Sequence, residues 1–176
     1  SASVSPNAPV GNVAIGHDSL TTNINLDYNT AVGFRALANH GGTDPAGTGQ
    51  NVAVGANALE HNTTGYRNTA IGYSAAYHNF AGHENVAIGF QSLYATDLDG
   101  DDNTVVGAGS GFNVTTGDKN SLFGKSSGSL LTTGSKNVII GSYNGNENGL
   151  DIRTSDNRVV LSDGDGNIRL YVDYAG

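Results

Sequence analysis

The chain has 176 residues, long enough for one ordinary domain, and holds 26 glycines, no Cys, Met or Trp, and only 14% charged residues. Without cysteine there are no disulfide staples and no thiol chemistry, and a net charge of −8 with only eight Lys plus Arg leaves no basic stripe for a nucleic-acid backbone. No apolar run approaches the ~18 residues of a membrane span, so membrane insertion is not expected.

After a lead-in over residues 1–11, one pentapeptide recurs eight times: Asn, a β-branched or small residue, two apolar residues, Gly. It reads NVAIG from Asn12, NTAVG from Asn29, NVAVG from Asn51, NTAIG from Asn68, NVAIG from Asn85, NTVVG from Asn103, NSLFG from Asn120 and NVIIG from Asn137. The asparagines advance by 17, 22, 17, 17, 18, 17 and 17 residues, so the unit is 17 residues with one insertion of five and one of a single residue. Such a period identifies a solenoid, whose rungs bury their apolar side chains only when neighbours stack on them. Each pentapeptide, closed by Gly and followed by Gly/Thr/Asn turns, predicts a short strand. The fold class is therefore all-β: a parallel β-solenoid (β-roll or β-helix) of about eight rungs over residues 12–150, rising ~4.8 Å per rung.

Each column of the repeat carries its own expectation. The fourth position, Ile15, Val32, Val54, Ile71, Ile88, Val106, Phe123 and Ile140, is large and apolar throughout and is assigned to the core. The second position alternates Val with Thr or Ser, as suits a less dry surface. The asparagines form either an amide ladder between rungs or a left-handed turn, and both readings stay open. The closing glycines mark one corner by positive φ or close backbone approach. Gly65, Gly82, Gly117 and Gly134, ten residues further on, mark a second. Eight residues after each asparagine stand Leu20, Leu37, Leu59, Ala76 and Leu93, then Gly111, Gly128 and Gly145. Where those leucines vanish, the third position grows from Ala to Val105, Leu122 and Ile139, so volume lost at one wall is restored at another. Two segments of different cross-section, dividing near Gly100, are expected.

The five-residue surplus, around His40 to Gln50, predicts an outward loop suited to recognition. After Asn137 the period decays. Val159 and Leu161, then Ile168, Leu170 and Val172, flank Ser-Asp-Gly-Asp-Gly-Asn and predict a hairpin within residues 151–176 that closes the last rung.

Chemistry is sparse. A glycan-depolymerising enzyme needs two carboxylates facing one cleft at ~5–9 Å, and the acidic residues before Asp97 occupy dissimilar places in the repeat. No nucleophilic triad, phosphate loop or zinc pattern occurs, so no catalysis and no cofactor are expected. Asp97–Asp102 and Asp163–Asn167 offer oxygen ligands for calcium, but the first lacks the glycine and glutamate of the helix-loop-helix site, and a solvated turn is the reading taken at both. His61 and His78 should stack on adjacent rungs without a third metal ligand. An ice-binding lattice needs Thr on nearly every rung, whereas the second position offers only Thr30, Thr69 and Thr104.

Aromatic residues are the candidate binding site. Tyr73 and Phe90 lie five residues after their asparagines, and Tyr77, Tyr94 and Phe112 nine after theirs, on neighbouring rungs. Rings beside polar groups suit sugars, and the alternative is packing at a seam between chains.

The units NTAVGFRAL, NVAVGANAL and NTAIGYSAA resemble the repeats of phage tail fibres and of trimeric autotransporter adhesin heads, over Asn12 to about Gly141. The 17-residue unit is longer than that of adhesin heads, which favours the viral fibre. The segment SDGDGNIRLYVD from Ser162 is similar to the end of fibre bodies that carry a self-cleaving chaperone, which the resemblance places after this chain. A chain opening at Ser1 without Met reads as a piece of a longer protein. The resemblance implies a homotrimer, in the virion tail fibre or on a bacterial cell surface, that attaches to a host glycan or outer-membrane receptor. An isolated roll with about three inward side chains per rung also buries little surface against its chain entropy, which argues separately for association.

Overall fold

The computed structural model describes residues 10–22, 27–41, 49–95 and 98–173. Eight three-residue strands coincide with the eight pentapeptides: β1 (Val13–Ile15), β2 (Thr30–Val32), β3 (Val52–Val54), β4 (Thr69–Ile71), β5 (Val86–Ile88), β6 (Thr104–Val106), β7 (Ser121–Phe123) and β8 (Val138–Ile140). They stack in chain order, parallel and in register, so that Ala31, Ala53 and Ala70 share one column. The chain is a parallel β-solenoid with one strand per turn, and the described residues contain no helix. The lead-in before Val10, most of the five-residue insertion and Asp97 lie outside the described residues.

The C-terminal hairpin forms as expected. Strand β11 (Val159–Ser162) pairs parallel with β8, Val159 opposite Val138, and β12 (Ile168–Val172) folds back antiparallel on β11. The first arm thus extends the stack by one rung before the second covers its edge. A shorter ribbon, β9 (Asn146–Glu147) with β10 (Leu150–Asp151), was not foreseen. Its turn is Asn148-Gly149 with φ of 53° and 81°, both positive, as the tightest hairpins require.

The core lies elsewhere than expected. The third position, not the fourth, faces inward: Ala31, Ala53, Ala70, Ala87, Val105, Leu122, Ile139 and Val160 are fully buried. Ile15, Ile71, Phe123 and Ile140 of the fourth position are 60%, 39%, 39% and 48% exposed. The reason is pleating. In a three-residue strand only the middle residue points to one face, and the flanking two share the other. The space inside the turn is narrow, so the inward residue is small wherever Leu37, Leu59 or Leu93 fills it from the opposite wall.

The asparagines form the ladder. Each Oδ1 accepts the backbone N–H of the next motif asparagine at 2.7–3.0 Å, from Asn12 to Asn137, and Asn137 accepts that of Arg158. Each Nδ2 from Asn51 onward donates across the turn at 2.8–3.1 Å, to the carbonyl of Gly65, Gly82, Gly100, Gly117, Gly134 or Ser155. The left-handed residue at this corner is the one before the asparagine. Tyr28, Gln50, Arg67, Glu84, Asp102, Lys119 and Lys136 all have φ of 49–59°. The closing glycines satisfy both reasons given for them: from Gly16 to Gly124, φ is 130–141°, and a Cβ would stand under 3.0 Å from the next glycine's carbonyl.

Candidate functional site

The 17-residue period sets equivalent side chains one strand spacing apart, and aromatic side chains at equivalent positions therefore stack. Five residues after the asparagine, His17 stacks on Phe34 with centroids 5.8 Å apart and Tyr73 on Phe90 at 5.6 Å, the column being interrupted at Ala56. Nine residues after, Tyr77 stacks on Tyr94 at 5.4 Å and Tyr94 on Phe112 at 5.0 Å. All five candidate residues are thus gathered into two columns, one pair and one trio. Neighbouring rings cover one another's faces, so each column turns its edges outward and leaves an open face only at its ends. Tyr73 and Phe90 are about half exposed, and the trio less so.

Imidazoles extend the second column. His61 and His78 stack at 5.1 Å, and both meet Tyr77 edge-on, at 4.8 and 4.5 Å. Burial raises the pKa of the Tyr77 hydroxyl, reinforced by the Glu60 carboxylate and by Tyr94.

Sequence reasoning missed two further arrangements. Where the second column would continue toward the N-terminus, its side chains shrink to Ala38 and Thr21, with Glu60 between them and Tyr77. A cleft of about 380 Å³ opens there, lined by Asp18, Thr21, Thr22, Arg35, Asn39 and Glu60. Arg35 spans it, with Nη1 3.5 Å from Glu60 Oε1, Nε 3.8 Å from Asp18 Oδ2 and the guanidinium 5.2 Å over the Phe34 ring. The second arrangement is a side-chain ladder along another corner. Asp101 accepts the backbone N–H of His83, Asp118 that of Asp101, Ser135 that of Asp118 and Asp156 that of Ser135, at 2.7–3.0 Å. Burial raises the pKa of Asp101, against the lowering effect of the hydrogen bond and charge of His83.

The Asp163–Asn167 turn differs from an open ligand set, and Asp97 of the other acidic turn lies outside the described residues. Asp163 Oδ1 accepts from the backbone of Asp165 and Asn167, and Oδ2 pairs with Arg169 at 2.5 Å. The Asn167 side chain first, then Arg169, lowers its pKa to about 2. Among the described residues no three His, Asp or Glu are grouped to hold a metal ion, and no helix is long and apolar enough to cross a membrane. No protein-family model, no curated protein and no solved structure matches the chain.

Proposed function

We propose that this chain is the structural and receptor-binding part of a viral tail fibre, a homotrimer that attaches to a host cell surface through glycan. The observation that carries the proposal is the outer face of the sheet. Val13, Ile15, Ile71, Phe123 and Ile140 stand 39–60% exposed along one wall of the stack, with the half-buried Val, Thr and Ile side chains of the other rungs between them. An exposed wall of this kind, apolar at the fourth position of every rung and Val, Thr or Ser at the second, marks an association surface. Three copies placing it around a common axis bury it in closed symmetry, without leaving a growing end. The repeats' resemblance to tail fibres agrees with such an assembly.

The rings then have a division of labour. Tyr73 and Phe90 come one residue after the closing glycine, next in the chain to the outer sheet face, whereas Tyr77, Tyr94 and Phe112 lie beyond the following turn. Outward ring edges and end faces beside polar groups suit sugar contacts, and three copies combine weak sites by multivalency.

Light scattering on native protein should give three times the 18.0 kDa of one chain, and a single-chain mass would sink the trimer. Because Ile71 is on the outer face, Ile71→Asp should leave the rungs stacked and block assembly. A Tyr77→Ala, Tyr94→Ala double variant should stay trimeric and lose binding to host cells. Unchanged binding would remove the trio from the site, and a collapsed trimer would assign it to the seam.

A further inference from the structure

The cleft beside Arg35 has a marked imbalance of hydrogen-bonding groups. Thr21 Oγ1 donates to the Asp18 carbonyl at 2.7 Å and Thr22 Oγ1 to the Ala38 carbonyl at 2.9 Å, so both hydroxyls offer the cleft only lone pairs. The Asn39 amide nitrogen lies 3.4 Å from His61 Nδ1, and the side chain keeps its oxygen to accept and one further N–H to donate. Asp18 and Glu60 add two carboxylates, and Glu60 is held with only 8% of its side chain exposed. Arg35, the strong donor among the lining residues, is shared between them, and His17 Nδ1 also lies 3.1 Å from Asp18 Oδ2. The cleft is therefore rich in acceptors and net negative.

From this inventory we propose that the cleft binds a neutral hexose unit, whose hydroxyls donate to Asp18, Glu60, Thr21 and Thr22, and that it rejects acidic sugars. A sugar hydroxyl can donate to a carboxylate and accept from the guanidinium at once. An ammonium cannot accept, and a carboxylate or phosphate cannot donate and meets two like charges. The volume of about 380 Å³ is at the small end of ligand sites, enough for one or two sugar units. Phe34 beneath the guanidinium and Asp18 and Glu60 on either side hold Arg35 in place before the ligand arrives. This assignment rests on the attachment reading above and adds, where the ring trio ends toward the N-terminus, a second place at which glycan is read.

The test is a printed glycan array probed with the full chain, followed by saturation-transfer NMR with methyl glucoside, galactoside and mannoside against methyl glucuronide. Neutral glycans should bind, and their uronate- or sialate-terminated counterparts should not. Glu60→Gln and Asp18→Asn keep shape and remove charge, and each should weaken binding about tenfold through loss of a charge-assisted hydrogen bond. Thr21→Val, at an exposed position, should also weaken it and serves if Glu60→Gln disturbs the fold. Acidic glycans binding as well as neutral ones, or unchanged affinity in all three variants, would overturn the cleft. A wild type that binds host cells but no neutral sugar would overturn the cleft alone. One that binds neither would overturn the attachment reading with it.

Discussion

The rungs before Gly100 and those after it fill their cores with different materials. In the first segment Ala31, Ala53, Ala70 and Ala87 face Leu37, Leu59, Ala76 and Leu93, and a third wall is polar, built from His40, Asn62 and Asn79. In the second, Val105, Leu122 and Ile139 face Gly111, Gly128 and Gly145, and the third wall is Val114, Leu131 and Ile152, with Leu98 making the change just before Gly100. A Cβ on Gly111 would stand 3.1–3.3 Å from Leu93, Val105 and Leu122, so the space its side chain gave up is already taken. Close packing fixes the total volume inside a turn and leaves its distribution free. The polar wall has its own continuity. Asn79 Nδ2 donates to Asn62 Oδ1 at 2.6 Å, and Asn62 Nδ2 approaches His40 Nδ1 at 2.8 Å. It ends where Leu98 pairs beside Asn79, whose Oδ1 is buried without a partner.

The largest test of this comparison is Leu122→Ala. Gly111 and Gly128 leave nothing to collapse into the void, so thermal or denaturant unfolding should show a loss of about 3–5 kcal/mol. A loss under ~1 kcal/mol would mean that the second segment is not packed as described.

A sharper test converts one rung into the other type. Gly111→Leu alone overpacks, and Val105→Ala alone empties, each costing ~1–3 kcal/mol. Together they move the bulk back to the first segment's wall, so a double-mutant cycle should show favourable coupling of ~1 kcal/mol or more. Additive losses would break the volume argument. Only Gly111→Leu also changes φ-sensitive ground: Gly111 sits at φ 59°, a region that Leu37, Leu59 and Leu93 occupy at 50–52° in the equivalent place.

The polar wall is tested by Asn79→Ala, which removes the donor to Asn62 Oδ1 and strands a buried acceptor. Denaturant unfolding should register about 1–3 kcal/mol. An unchanged midpoint would show that the amide wall is only filler.

The smallest effect concerns Tyr143, which fills the last rung of the apolar segment and donates its hydroxyl to the Leu150 carbonyl at 2.7 Å. Burial pushes its pKa up to about 12 from the ordinary 10.0. The neutral phenol is the form the fold favours, so its contribution is complete below pH 10 and is lost as pH rises toward about 12. Tyr143→Phe should cost about 1 kcal/mol at neutral pH and flatten stability across that alkaline window, as read by unfolding at successive pH values.

Much of the architecture was legible because every pentapeptide keeps its Asn and its Gly: eight of each, 17 residues apart save for two insertions, fix strand, corner and stacking together. The volume exchange at Gly111, Gly128 and Gly145 was legible for the same reason. The inward face was not. Ile15 to Ile140 are the bulkiest residues of the strand, and bulk usually means core, but here the lumen admits only what the opposite wall leaves free. The β9–β10 ribbon was signalled by Asn148-Gly149 and overlooked amid many other glycines. Ring columns could be placed by counting, while their mutual stacking follows from strand spacing and needs no further signal. The Arg35 cleft left no motif, since it arises where Thr21 and Ala38 are small and a salt bridge joins three rungs.

The asparagine ladder has a consequence for how such a chain can change length. Each rung is joined to the next by an Oδ1 and a backbone N–H, atoms that every turn supplies whatever its remaining side chains. The joint is therefore interchangeable, like a standard coupling. Whole turns can be added or removed in steps of one repeat while every coupling is remade, and the solenoid's length becomes a property separable from what its surface carries.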